Sequence, residues 1–119
     1  MAVKRIVADI ATDDPKTVAA FYQRLFGLKI AMDQGWIITL MSSAQAVPQI
    51  SFASEGGSGT PVPDLSIEVD DLDDVYSRAV AEKLDITYGP TDEPWCVRRF
   101  FVRDPTGRTI NVLSHKKAI

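Results

Sequence analysis

The sequence predicts an α+β fold built from two βαβββ modules in tandem. Three observations support this class. Runs of alternating apolar and polar residues predict strands, two stretches of helical spacing each follow an aspartate, and a segment rich in Gly, Ser and Pro separates two similar halves. We therefore predict that residues 1–119 form a single domain, with modules at about 1–55 and 64–119 and a linker at 54–63.

Composition limits the classes of protein to which the chain can belong. Apolar residues make up 45% and charged residues 24%, which is typical of a globular protein. A net charge of −3 argues against a nucleic-acid partner, and no apolar run approaches the ~20 residues of a membrane span. The N-terminus lacks the apolar core of a signal peptide, and the single Cys96 excludes an intrachain disulfide. We expect a cytoplasmic protein without a nucleic-acid or membrane partner.

In the first module, alternation over Arg5–Ala11 predicts a strand with one packed face. Asp14 followed by Pro15 predicts a helix N-cap with proline at the first helical position, and Gly27 predicts the end of that helix. Three further strands are predicted over Lys29–Asp33, Trp36–Met41 and Pro48–Ala53.

The second module repeats this order. Leu65–Asp70 alternates like a strand, and a helix is predicted from about Leu72 to Lys83, capped by Asp70 or Asp71. Its apolar stripe is predicted to consist of Val75, Ala79 and Val80. Further strands are predicted over Ile86–Tyr88, Cys96–Arg103 and Arg108–Leu113, with a loop over Gly89–Pro94.

The last two strands carry a sequence pattern typical of a β-hairpin. They flank Asp104-Pro105-Thr106-Gly107, in which Asp accepts local backbone bonds, Pro fixes φ and Gly supplies a positive φ. Trp95, the Arg-rich aromatic strand and this turn resemble the vicinal oxygen chelate superfamily, as does the helical run Phe21–Leu28. That superfamily includes glyoxalase I, bleomycin resistance proteins and extradiol dioxygenases.

The resemblance implies a glyoxalase/bleomycin-resistance-like half-barrel. In that fold each module packs its helix on the convex side of its sheet, and the concave sides enclose a ligand cavity. Short relatives often share modules across a dimer, so the resemblance also implies a homodimer. The side chains predicted to pack against helices are Ile6, Ala8, Ile10, Leu65, Ile67, Val69, Ile110 and Val112.

Charged residues alternate with these helix-facing positions, so they are predicted to line the cavity. Because buried charges need partners, Glu68 is expected to pair with Arg99 or Arg103, and Asp9 with Arg5. An alternative interpretation is that these pairs only brace the barrel. The full predicted cavity face consists of Arg5, Val7, Asp9, Asp64, Ser66, Glu68, Arg99, Phe101, Thr109 and Asn111.

Arg99 is the predicted anchor of the ligand. Its planar guanidinium can give two parallel hydrogen bonds to an anionic or carbonyl-bearing molecule, in a pocket shared with Asp64 and Asn111. The competing interpretation is that Arg99 only neutralises Glu68. The predicted ligand-binding residues are Asp9, Trp36, Asp64, Glu68, Trp95, Arg99, Phe101 and Asn111.

Metal-dependent relatives hold their ion through histidine and glutamate, and the resemblance places those positions at Val7, Asp64 and Asn111. Val7 has no donor atom, and Asn111 offers only a neutral amide. Since a divalent ion of this kind takes three or more donors, we predict no metal and no other cofactor. The lone histidine, His115, lies outside the matched positions.

Three functions are compatible with these features. The first is a metal-free protein of the bleomycin-resistance type that sequesters or senses a small polar or aromatic ligand. The second is an enzyme of the same superfamily, of lyase, isomerase or dioxygenase type. Asp9 with Asp64 or Glu68 would then serve as general acid and base. The third is a structural or regulatory dimer. Cys96 is expected to be an inert thiol.

The predicted lack of a metal site can be measured directly. We expect protein purified without chelator to carry less than one divalent ion per chain, because the matched positions do not supply three donor atoms. Elemental analysis that finds about one Zn, Ni, Mn or Fe per chain would contradict this.

Overall fold

The structure is a computed structural model that describes residues 7–45 and 51–116. The chain divides into two compact units, Met1–Ser54 and Glu55–Ile119. Most of the predicted linker belongs to the second unit. Whether the two units act as one domain stays a prediction.

The first unit contains the predicted helix. Helix α1 spans Pro15–Phe26, and the Asp14 carboxylate accepts a hydrogen bond from the Thr17 backbone N–H at 3.2 Å. Gly27 ends the helix with φ of 69°, a left-handed conformation that glycine adopts without steric cost. Both ends are therefore where the sequence predicts them. The buried residues of α1 are Ala19, Phe21, Tyr22 and Leu25.

The strands of the first unit agree only in part with the prediction. Strand β1 spans Lys29–Asp33 and pairs antiparallel with β2, which spans Ile38–Met41. The predicted start of the second strand at Trp36 is wrong because the chain is still turning there. The Asp33 carboxylate accepts from the Gly35 N–H at 2.9 Å, and the Gln34 N–H donates to the Ile37 carbonyl.

Two predicted strands of this unit are absent from its described residues. Residues 7–11 and 51–53 are not in strands, and the remaining residues of those two predictions lie outside the described ranges. Ala8 is exposed rather than packed against a helix. Alternation is a property of one segment, whereas a strand also needs a hydrogen-bonded neighbour. Within residues 7–45 and 51–54, β1 and β2 pair only with each other.

The second unit is a four-stranded sheet with one helix. Helix α2 spans Leu72–Ala81 and is capped by Asp71, whose side chain accepts from the Asp74 N–H at 3.2 Å. The order across the sheet is β3-β6-β5-β4, with β3 parallel to β6 and the other pairs antiparallel. The strands are β3 Leu65–Glu68, β4 Ile86–Glu93, β5 Val97–Arg103 and β6 Thr109–His115.

The core of this unit lies between α2 and one face of the sheet. Phe100 and Val102 of β5 are fully buried opposite Val112 and Ile110 of β6. The ring of Tyr76 from α2 meets Phe100 edge-on, with ring centroids 5.4 Å apart. Of this set, the sequence analysis predicted Ile110 and Val112 to face a helix, and the structure adds their partners Phe100 and Val102.

Helix α2 differs from its prediction at one end and on one face. It ends at Ala81 rather than Lys83, because Lys83 adopts φ of 55° and the Leu84 N–H turns back to the Ala79 carbonyl. Val80, predicted to belong to the packed stripe, is 51% exposed. Neither helix within the described ranges has the length and apolar character to cross a bilayer.

Strand β4 is longer than predicted. Its prediction ended at Tyr88 because Gly89-Pro90 is typical of a loop, yet the strand continues to Glu93. Proline is tolerated in β4 because this strand lies at the sheet edge, where its register shifts twice. Gly89 is required there, since a Cβ would lie 2.5 Å from the Arg99 carbonyl oxygen.

The predicted β-hairpin is confirmed. One Asp104 carboxylate oxygen accepts hydrogen bonds from the backbone N–H groups of Thr106 at 2.8 Å and Arg108 at 3.1 Å. Gly107 has φ of 84°, so the turn uses glycine where the sequence predicts a positive φ. This turn fixes the register that sets β5 beside β6.

The core assignment makes a stability prediction. Phe100→Ala should lower the free energy of unfolding by about 3–5 kcal/mol, because it removes a fully buried ring and leaves a cavity. The matched control, Val80→Ala, changes an exposed side chain and should alter it by less than about 0.5 kcal/mol. Urea denaturation measures both. Equal effects of the two changes would contradict the core described here.

Candidate functional site

The face of the second sheet opposite α2 carries polar and aromatic side chains. Arg99 and Phe101 of β5 alternate with the core residues, so they point to this face. Phe101 lies opposite Asn111 of β6, which in turn lies opposite Ser66 of β3. We call this surface the polar face, and it consists of Ser66, Tyr88, Glu93, Arg99, Phe101 and Asn111.

A buried ion pair occupies the β4–β5 side of the polar face. The Arg99 guanidinium lies 3.0 Å from the Glu93 carboxylate, and their side chains are only 4% and 1% exposed. The other Glu93 oxygen accepts a hydrogen bond from the Tyr88 hydroxyl at 2.8 Å, and the first also accepts one from Ser58 at 2.8 Å. Each Glu93 oxygen is thus hydrogen-bonded, which offsets part of the cost of burial.

These contacts determine the protonation of Glu93. Burial raises the pKa of its carboxyl, but hydrogen bonds from Ser58 and Tyr88 and the charge of Arg99 outweigh it, so the pKa is lowered from its ordinary value of 4.5. Glu93 is therefore ionised at neutral pH. A carboxyl whose pKa is lowered by folding stabilises the folded state at pH values above its ordinary pKa. That stabilisation is lost as the pH falls through the folded-state pKa.

Three aromatic rings surround the Arg99 guanidinium. Its central carbon lies 4.9 Å from the ring centroid of Phe101, 5.1 Å from Trp95 and 5.3 Å from Tyr88. Arginine stacks well on such rings because its charge is delocalised and weakly hydrated. Trp95, in the turn between β4 and β5, is 47% exposed, so one ring of this cluster reaches the surface.

Arg99 also fastens the segment that the sequence predicts as a linker. Its two terminal nitrogens donate to the Gly56 carbonyl at 2.7 Å and to the Gly57 carbonyl at 3.2 Å. Gly57 has φ of 86°, and a Cβ there would lie 2.7 Å from the Trp95 ring. We call residues 55–61 the strap, because they are hydrogen-bonded to the sheet instead of forming a free spacer.

The predicted pairing of Glu68 with Arg99 or Arg103 is wrong. In the sheet order, β6 separates β3 from β5, and Glu68 lies opposite Leu113 rather than beside either arginine. Its partner is His115, whose Nδ1 lies 3.0 Å from the Glu68 carboxylate, with both side chains exposed. Arg103 instead lies 3.9 Å from Asp85. The predicted partner of Asp9, Arg5, lies outside the described residues.

Glu93 is the site residue that the sequence prediction missed. It was assigned to a loop because Gly89-Pro90 precedes it. No local pattern indicates the strand, because its continuation depends on pairing. Pro is tolerated on an edge strand, and β4 continues far enough to pair Glu93 with Val97. With that continuation, the carboxylate lies beside Arg99.

Asn111 holds one buried polar atom without a partner. Its residue is 8% exposed, and its amide nitrogen donates to the Ser66 hydroxyl at 3.1 Å. Its Oδ1 and the Nε of Arg99 are buried, and neither has a hydrogen-bond partner among the described residues. An unsatisfied buried polar atom costs about 1–3 kcal/mol, and native proteins usually satisfy it with water or a ligand.

The positions matched to metal ligands do not fit a metal. Val7 belongs to the first unit and has no donor atom, and the Asp64 carboxylate accepts from the Thr109 backbone N–H at 2.8 Å. Asn111 provides a single amide oxygen. Within residues 7–45 and 51–116, no three His, Cys, Asp or Glu side chains form a group able to hold a metal ion. A divalent ion in such a fold needs three or more donors.

The structure brings part of the predicted ligand-binding set together. Arg99 and Phe101 share one cluster with Trp95, and Asn111 lies opposite Phe101. Asp64 and Glu68 are exposed on β3 or next to it. Asp9 and Trp36 belong to the first unit, where both are exposed, and their part in ligand binding stays a prediction. The predicted homodimer also stays a prediction.

Comparison with known proteins identifies the family. Residues 3–112 match the Glyoxalase/Bleomycin resistance protein/Dioxygenase superfamily, so the chain belongs to that superfamily. The predicted resemblance and the predicted α+β fold class are thereby confirmed. A search of curated proteins finds no match to the chain.

Solved structures share the fold at low sequence identity. TnmS3, an antibiotic binding protein from Streptomyces sp. CB03234, gives a TM-score of 0.66 at 20% identity over 98% of this chain and 97% of its own. TioX from Micromonospora sp. ML1 gives a TM-score of 0.64 at 23% identity, over 96% of this chain and 98% of its own. A lactoylglutathione lyase from Agrobacterium tumefaciens gives a TM-score of 0.65 at 17% identity, over 95% of this chain and 92% of its own.

The buried ion pair makes a second stability prediction. Arg99→Ala should lower the free energy of unfolding by roughly 3–5 kcal/mol, because it leaves Glu93 buried and without its cation. The control is the neighbouring Arg98→Ala, on the opposite face, whose partners Asp73 and Asp92 are exposed; it should cost less than about 1 kcal/mol. Chemical denaturation compares the two. An Arg99→Ala protein as stable as Arg98→Ala would refute the structural role.

Proposed function

We propose that this chain binds a small molecule that has an aromatic or otherwise planar part, and that it does so without a metal. One observation carries the proposal. The Oδ1 of Asn111 is a buried hydrogen-bond acceptor without a partner within the described residues, and it lies on the polar face opposite Phe101. A ligand that donates a hydrogen bond to this oxygen would remove the cost of burying it unsatisfied.

The aromatic cluster supports the same proposal. Trp95 is about half exposed, so a flat ligand can stack on it, and Phe101 and Tyr88 contact the same guanidinium. Ligand sites are commonly apolar and aromatic with a few polar groups that fix orientation. The fold supports this too, since it is shared with TnmS3, an antibiotic binding protein.

The enzyme alternative has weaker support from the described geometry. The fold is also shared with a lactoylglutathione lyase, but the donor atoms at the matched positions do not fit a metal ion. The buried carboxylate of the polar face, Glu93, is ionised and held by Ser58, Tyr88 and Arg99, so it is neither a proton donor nor a free base. Asp64 is hydrogen-bonded to the Thr109 backbone. Binding is therefore the function that this geometry favours.

The proposal predicts how substitution of Asn111 affects binding. Isothermal titration calorimetry with planar aromatic amides, such as 2-naphthamide and quinolin-2-one, should detect a complex with the unaltered protein. Asn111→Leu should weaken it by about tenfold, the equivalent of one hydrogen bond of ~1.4 kcal/mol.

A matched control separates loss of the contact from general disturbance of β6. Ser114→Ala also replaces a polar side chain of this strand, but Ser114 bonds to the Val69 carbonyl on the opposite face. The affinity of the Ser114→Ala variant for the amides should stay within about twofold of that of the unaltered protein. Equal weakening by both substitutions would refute the contact with Asn111. If no planar aromatic probe binds, whether an amide or an acid, the proposal is refuted.

A further inference from the structure

We infer that the polar face selects an uncharged ligand with an adjacent hydrogen-bond donor and acceptor, such as an amide or lactam, and discriminates against carboxylates. This inference rests on the proposed function and specifies its ligand. The sequence predicts that Arg99 anchors an anionic or carbonyl-bearing ligand, and this inference keeps the carbonyl-bearing case and drops the anion. Three features of the polar face carry it.

The first feature is that the charge of Arg99 is already neutralised. Glu93 lies 3.0 Å from the guanidinium, and both side chains are buried. The carbonyls of Gly56 and Gly57 accept from its two terminal nitrogens. The parallel pair of donors with which an arginine grips a carboxylate is therefore occupied by groups of the chain itself.

The second feature is the negative charge that an anionic ligand would meet. A carboxylate placed at Arg99 would lie beside ionised Glu93, so one cation would face two anions in a buried setting. Like charges at that range disfavour each other, and burial strengthens the effect because the surroundings screen it poorly. An uncharged ligand does not incur this repulsion.

The third feature is the pair of unsatisfied atoms. Asn111 Oδ1 is an acceptor that needs a donor, whereas Arg99 Nε is a donor that needs an acceptor. Both residues neighbour Phe101. Asn111 lies opposite Phe101 in the sheet, and the Phe101 ring is 4.9 Å from the Arg99 guanidinium carbon. A primary amide or lactam has both an N–H and a C=O. An ionised carboxylate only accepts, so it cannot satisfy Asn111.

The test compares acid and amide on identical rings. The probes are 2-naphthamide against 2-naphthoate and benzamide against benzoate, titrated calorimetrically into the unaltered protein at pH 7 and constant ionic strength. The amide of each pair should bind at least about tenfold more tightly than its acid, since the acid loses one hydrogen bond and meets Glu93. This comparison requires no variant, so it does not depend on the folding of one.

A charge substitution then tests the cause. Glu93→Gln leaves Arg99 without its counter-charge, so the affinity for the acids should rise about tenfold relative to the amides. Asp92→Asn is the control, because it removes the same charge from the adjacent residue. Asp92 faces away from the polar face and is bonded to Arg98 and Lys116. The acid-to-amide ratio of this control should be unchanged.

The outcomes separate the two proposals. If an acid binds as tightly as its amide, or if Glu93→Gln and Asp92→Asn change the ratio equally, ligand selection by charge is refuted while small-molecule binding stands. If neither acids nor amides bind the unaltered protein, the proposed function is refuted and this inference with it.

Discussion

The buried pair of Arg99 and Glu93 is the interaction on which the second unit depends. It joins β5 to the last residue of β4 and, through carbonyl bonds, to the strap. Removing two charges from water is costly, and an isolated buried pair often contributes little net stability. Here hydrogen bonds from Tyr88 and Ser58, and three aromatic rings around the guanidinium, offset that cost. The pair thus holds β4, β5 and the strap together.

The two faces of the sheet in the second unit differ in their chemistry. Its helix-facing side is an apolar core around Phe100, whereas the polar face holds charges, rings and unsatisfied atoms. Because successive side chains of a strand point to opposite faces, β5 contributes to both faces over seven residues. The sequence resemblance matches the third metal-ligand position to Asn111, whose amide makes a directional hydrogen bond but is a poor metal donor. The same place in the fold is suited to a different kind of contact.

Local chemistry was predicted well from sequence, and pairing was not. The cap at Asp14 and the Asp104–Gly107 turn depend on neighbouring residues and were found as predicted, and Asp71 is one of the two caps predicted for α2. Alternation also assigned Arg99 and Phe101 to the correct face. Glu93 was missed because the course of an edge strand through Gly89-Pro90 depends on its neighbour β5, which no local pattern reveals. The same limit explains the first unit, where residues 7–11 alternate without forming a strand.

The close packing of Gly57 against Trp95 limits where residues can be inserted into this chain. By composition, residues 54–63 are a spacer, the kind of segment into which a tag or extra residues are usually inserted. Yet Gly57 has no room for a Cβ beside Trp95, and its carbonyl and that of Gly56 are ligands of a buried arginine. A residue added beside Gly56 or Gly57 would shift these carbonyls relative to the guanidinium. A stretch of low sequence complexity can therefore be as intolerant of insertion as the interior of a strand.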